Sequence, residues 1–113
     1  MANTIPNAAV GSNATTLQKA FIRELLLGQT VDGYSAMCKC IAISTVGDLK
    51  QVKAKVLIVA GEEDKSAPLE GCKKFDDELE DLARLQKVAK VGHWHVVEAP
   101  EKMAELVEDF LGL

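Results

Sequence analysis

Apolar residues recur along the chain at two different spacings, and the change from one to the other divides it. From Leu17, the set Leu17, Ala20, Phe21 and Leu25 returns at the three-to-four-residue interval of one helix face, with Thr15 or Thr16 available as a cap and Gly28 as a stop. Val31, Tyr34, Cys38, Ile41 and Ala42 repeat the interval to about Ser44, with Thr30 or Asp32 as capping candidates and Gly47 as the stop. The two runs predict short helices joined by a tight turn. "VLIVAGEED", residues 56–64, breaks that interval with a continuous branched run ending in glycine and acidic residues, the pattern of a strand covered on both faces, as in a parallel sheet. Ser66 and Pro68 then suit the cap and first turn of a helix whose apolar face is Leu69, Cys72, Phe75, Leu79 and Leu82. "RLQKVAKV", residues 84–91, is more polar and suits a strand near a sheet edge. Pro100 opens a last helix with Met103, Leu106, Val107, Phe110 and Leu111 on one face.

The order is α-α followed by β-α-β-α, which predicts a single α/β domain over residues 15–113, divided into a helical hairpin at 15–46 and a β-α-β-α unit at 52–113. Residues 1–14 are rich in Asn, Ala, Ser, Thr and Gly without any period, and are expected to form a mobile N-terminal arm. Strand, helix and strand at this spacing imply a right-handed crossover between parallel strands. Both strand-to-helix loops, "GEEDKSAP" and "GHWHVVEAP", then leave the same carboxyl edge of the sheet, where open α/β sheets place their chemistry.

Composition narrows the partners. The 113 residues suffice for one core, and an aromatic share of 4% within a hydrophobic share of 48% makes that core aliphatic. A net charge of −4 and the lack of any basic cluster interleaved with aromatics argue against nucleic acid. No apolar run approaches the roughly 18 residues of a membrane span, and the first residues lack the basic and apolar regions of a secretory signal, so no membrane association is expected and the chain reads as cytoplasmic. Cys38, Cys40 and Cys72 match neither a disulfide framework nor a zinc pattern, and are expected to be free thiols packed as small hydrophobes; no metal and no cofactor are expected.

The candidate chemistry lies in "VAKVGHWHVVEAPE", residues 88–101, which holds both histidines of the chain, His93 and His95. A carboxylate at the end of one strand and a histidine at the end of the next can pair. The carboxylate accepts the Nδ1 proton, sets the tautomer, and stabilises the imidazolium formed when Nε2 takes a proton. Asp64 and His93 are placed for this although 93 − 64 = 29 positions separate them. Asp64 could equally cap the turn beside Ser66, with Glu62 or Glu63 as the acid. His95 reads as a packed residue, Trp94 as either a pocket wall or a seal over the sheet edge, and Glu98 as a residue able to orient the loop through backbone hydrogen bonds.

"VLIVAGEEDKSAP" followed by "VGHWHVVEAPEKMAELVEDFLGL" resembles the C-terminal half of the α/β-hydrolase fold superfamily, in particular its esterase and enol-lactonase branch. "AFIRELLLGQTVDGYSAMCKCIAIS" is similar to the helical cap segment that precedes it there. The resemblance implies a truncated α/β-hydrolase-like chain with two cap-type helices, in which Asp64 is the triad acid and His93 the triad base, in the family's order of acid before histidine. It also implies that Tyr34, Met37 and Phe21 on the cap helices, with Trp94, line a substrate pocket, the alternative for the helical residues being a helix–helix core.

The sequence departs from that family at the nucleophile. No G-x-S-x-G occurs, since Ser12, Ser35, Ser44 and Ser66 all lack the two flanking glycines, and there is no HGGG-like oxyanion segment. One expectation is therefore a small enzyme using the His93–Asp64 pair as general acid and base on a small carbonyl or lactone-type substrate, by isomerisation, elimination, cyclisation or water-activated hydrolysis. The alternatives are a non-catalytic dimerisation or binding module and half of a split serine hydrolase completed by another chain. An open sheet edge or the cap helices would favour a homodimer.

Overall fold

The computed structural model describes residues 1–113. A single-turn helix, α1 (Ile5–Ala8), precedes the hairpin of α2 (Thr16–Leu27) and α3 (Val31–Ile43). Strand β1 (Val56–Gly61), helix α4 (Leu69–Leu79) and strand β2 (Ala83–Val88) follow, then the short α5 (His95–Glu98) and the terminal α6 (Pro100–Leu111). Single 3₁₀ turns at Leu49–Gln51 and Glu80–Leu82 lead into β1 and β2. No helix is long and apolar enough to cross a membrane.

The caps follow the local chemistry. Thr15 Oγ1 accepts the Gln18 N–H at 3.2 Å while Gln18 Oε1 accepts the Thr15 N–H at 2.8 Å, so both orphan donors at the start of α2 are satisfied reciprocally. The Gln18 amide group also donates to the carbonyls of Val97 and Glu98, tying α2 to α5. Thr30 Oγ1 accepts the Gly33 N–H at 3.1 Å and starts α3. At α4 the expected Ser66 cap is replaced: Pro68 occupies the cap position without a side-chain bond, and the Ser66 N–H is used elsewhere, as described below.

β1 and β2 pair in parallel, in register from Val56 opposite Ala83 to Gly61 opposite Val88. Helix α4 makes the crossover and packs on both strands. Val88, Val91 and Leu106 form the buried centre, with Leu57, Val59 and Ala99 packed against it, so α6 docks on the strands through Leu106. The apolar stripe of α6 is only partly used: Met103 and Phe110 are half-buried, whereas Val107 and Leu111 are exposed. Ile22, on α2, is the one large side chain that is fully buried.

Two expectations change here. Residues 1–14 are built into the structure: Pro6 and Gly11 are buried, and the segment runs against the loop that follows β2. Its order comes from backbone contacts with a distant loop, which leave no periodic trace in the side chains. Cys38 and Cys40 are exposed, because no element covers the outer faces of α3, and Cys72, on α4, is half-buried.

Candidate active site at the carboxyl edge of the strands

β1 ends at Gly61 and its loop is fastened at once to the end of β2. The Glu62 N–H donates to the Val88 carbonyl at 3.0 Å, the Glu63 N–H to the Val91 carbonyl at 2.9 Å, and the Asp64 N–H back to Gly61 at 3.2 Å. Gly61 permits this approach, since a Cβ there would lie 2.5 Å from the Val91 oxygen. The loop thereby delivers Asp64, whose side chain is 2% exposed, to the histidine loop.

Asp64 resolves its two readings by using one oxygen for each. Oδ1 accepts the N–H groups of Ser66 at 2.8 Å and Ala67 at 2.9 Å, shaping the turn into α4, and Oδ2 lies 3.0 Å from His93 Nδ1. Burial opposes ionisation of this carboxyl and is the largest single influence. The Ala67 N–H, the His93 ring, the Ser66 N–H and the charge attraction of His93 together outweigh it and hold the carboxyl below the ordinary aspartate range. Glu63 is occupied differently, accepting the Ser12 N–H at 2.5 Å and the Ser12 hydroxyl at 2.8 Å, and Glu62 is exposed.

His93 has 46% of its side chain exposed. With Nδ1 against Asp64, Nε2 is the nitrogen left for proton transfer. The loop around it is stapled by Glu98, whose carboxylate accepts the N–H groups of Gly92, Trp94 and Gly11, and the His93 N–H itself donates to Ala9 at 2.8 Å. Gly92 is required for this packing: a Cβ there would stand 2.6 Å from the Val10 carbonyl carbon and 2.7 Å from the Ala9 oxygen.

His93 opens on a cleft of about 520 Å³ lined by Ile5, Ala9, Leu25, Leu26, Gln29, Tyr34, Met37, Ser66 and Trp94 besides itself. Trp94, Tyr34 and Met37 thus share one cleft with the His93 ring. Phe21 does not: it is 53% exposed, and the cleft begins one turn further along α2, at Leu25 and Leu26, and continues at Gln29 beyond the helix end. His95 begins α5 half-buried, with Nδ1 buried and unpaired, apart from the Asp64 carboxylate. Ile5, Ala9 and Gln29 had no sequence signal, since two belong to the aperiodic N-terminal segment and the third follows the end of a helix. No group of three or more His, Cys, Asp or Glu side chains gathers in a way that could hold a metal ion.

The model of the TAP-like protein family matches residues 24–112 of this chain. The chain belongs to that family. Among solved structures, this TAP-like chain is similar to a crystal structure of a serine hydrolase involved in carbazole degradation, with a TM-score of 0.80 over 98% of this chain at 24% sequence identity. That likeness shows part of the α/β-hydrolase fold, as the TAP-like chain spans 46% of the length of that hydrolase. No significant match occurs among curated proteins.

Proposed function

We propose that the His93–Asp64 pair is the general acid–base of a hydrolase-type site acting on a small ester, lactone or related carbonyl compound held in the cleft. The observation that carries this reading is the 3.0 Å contact between a buried carboxylate and the Nδ1 of a ring that lines the cleft. In hydrolysis, Nε2 takes a proton from water as the water oxygen bonds to the carbonyl carbon. The imidazolium, steadied by Asp64, then returns that proton to the leaving oxygen as the carbon–oxygen bond breaks. Isomerisation, elimination or cyclisation needs the same transfer, with carbon or a substrate hydroxyl as the proton source. The apolar lining favours a substrate with a hydrocarbon body, and Gln29, Tyr34 and Ser66 supply polar contacts for its oxygens.

A second reading uses the same pair as the base for a serine lying outside these 113 residues; the 46% coverage of the serine hydrolase favours it. A screen of esters and lactones tests both, with His93→Ala as the control. Activity is expected to fall by about 10²-fold or more in the variant, and unchanged turnover in folded His93→Ala contradicts both readings. Covalent labelling by a serine-directed phosphonate separates them: labelling of a serine outside these residues selects the second, and no labelling of an active sample selects the first.

A further inference from the structure

Glu98 is the last residue of the single-turn α5 and stands two residues before the start of α6. Its carboxylate is fully used. Oε2 accepts the Gly11 N–H at 2.7 Å and the Gly92 N–H at 3.0 Å; Oε1 accepts the Trp94 N–H at 3.1 Å and shares that of Gly92 at 3.2 Å. The N–H between these last two belongs to His93 and meets the Ala9 carbonyl at 2.8 Å. Three successive backbone donors around the candidate base are therefore fixed by one carboxylate and one carbonyl, and the same carboxylate fixes Gly11, two residues from that carbonyl. Water cannot replace these bonds inexpensively, because Gly92 and Gly11 are buried.

We infer that Glu98 is a positioning residue for His93. It holds the backbone on both sides of the histidine and clamps residues 9–11 under it, so that the ring meets Asp64 from a fixed origin. The inference rests on the general-base reading of His93. Glu98 is not itself among the residues that line the cleft, and it acts through the backbone of the loop, the N–H of the cleft-lining Trp94 included. The N-terminal segment becomes a structural member of the site through the same contacts: Glu98 grips it at Gly11 and Glu63 grips it at Ser12, which joins the two loops that carry the pair.

The test uses Glu98→Ala and Glu98→Gln in the full chain, read by amide hydrogen exchange and by the proton resonance of His93 Nδ1–H. In Glu98→Ala, the amides of Gly11, Gly92 and Trp94 are expected to exchange about tenfold faster or more, while amides of the β1–β2 ladder keep wild-type protection. The Nδ1–H resonance is expected to broaden or disappear. Glu98→Gln, which keeps one accepting oxygen and turns an NH₂ toward the donors, is expected to give a smaller change in the same direction; it also serves as the decisive variant should the alanine form not fold. Wild-type exchange at the three amides overturns the inference. So does an unchanged Nδ1–H resonance once those amides have lost protection, because Glu98 would then staple the loop without positioning the ring. Neither readout uses a substrate, so failure here leaves the base role of His93 to be decided separately by the turnover of His93→Ala.

Discussion

The carboxyl edge of the strands and the outer hairpin helix are built on opposite terms. At the edge, Asp64 is 2% exposed with both oxygens bonded, and Glu98 satisfies donors from two distant segments. In α3, thirteen residues long, no side chain is buried, and Val31, Ile41 and Ile43 stand largely in the open. The edge is thus fixed by polar, backbone-directed contacts, while the hairpin carries apolar residues that its own chain does not cover. Ordering a site and building a core are separate tasks in this molecule: the pair is held without a deep hydrophobic shell, by carboxylates that each bind several N–H groups.

If that contrast is right, sensitivity to substitution runs opposite to hydrophobicity. The largest effect is expected from Gly92→Ala, because the new Cβ meets backbone atoms that cannot rotate away; a loss on the order of 3 kcal/mol in unfolding free energy is expected from denaturant titration. Wild-type stability there would break the comparison. Asp64→Asn is expected to cost about 2 kcal/mol, since the Ser66, Ala67 and His93 contacts lose their charged acceptor.

The pH dependence sharpens the same point. A carboxyl held below its ordinary range adds stability that is fully present above that range and is lost as pH falls through the folded-state value. The stability advantage of the wild type over Asp64→Asn is therefore expected to be constant above about pH 5 and to shrink below about pH 4, in melts recorded across that interval. The smallest effect belongs to α3: Ile43→Lys is expected to change unfolding free energy by less than about 0.5 kcal/mol, as Ile43 is 82% exposed. A loss of several times that size would mean that the hairpin is covered in solution.

What could be read beforehand was what repeats. The longer helices are legible from apolar residues at helical spacing and β1 from its run of Val, Leu and Ile; β2 is a more polar segment that ends at Val88, short of the expected Val91, and the parallel crossover brings Asp64 and His93 to one edge. Helices α1 and α5 leave no signal in the sequence, because four residues are too few to show a helical period. The involvement of Ala9, Gly11 and Ser12 had no sequence signature, since they contribute mainly backbone atoms, which every residue possesses. The resemblance to the cap helices places Phe21 in the pocket; the cleft lies a turn later, at Leu25 and Leu26, a distinction that depends on where α2 meets the His93 loop. Asp64 has two plausible partners in the sequence, the following turn and His93, and its two oxygens contact one each, a division that only the structure reveals.

The central claim is that Asp64 holds the neutral His93 ring with its proton on Nδ1 and leaves a bare Nε2 for proton transfer. A long-range nitrogen–proton correlation spectrum of histidine-labelled protein, recorded with the ring neutral, reads the tautomer directly. The Nδ1–H tautomer is expected for His93 in the wild type, with a shift toward Nε2–H in Asp64→Asn. An Nε2–H tautomer in the wild type would contradict the claim, because Nε2 would then already carry the proton that it is supposed to accept.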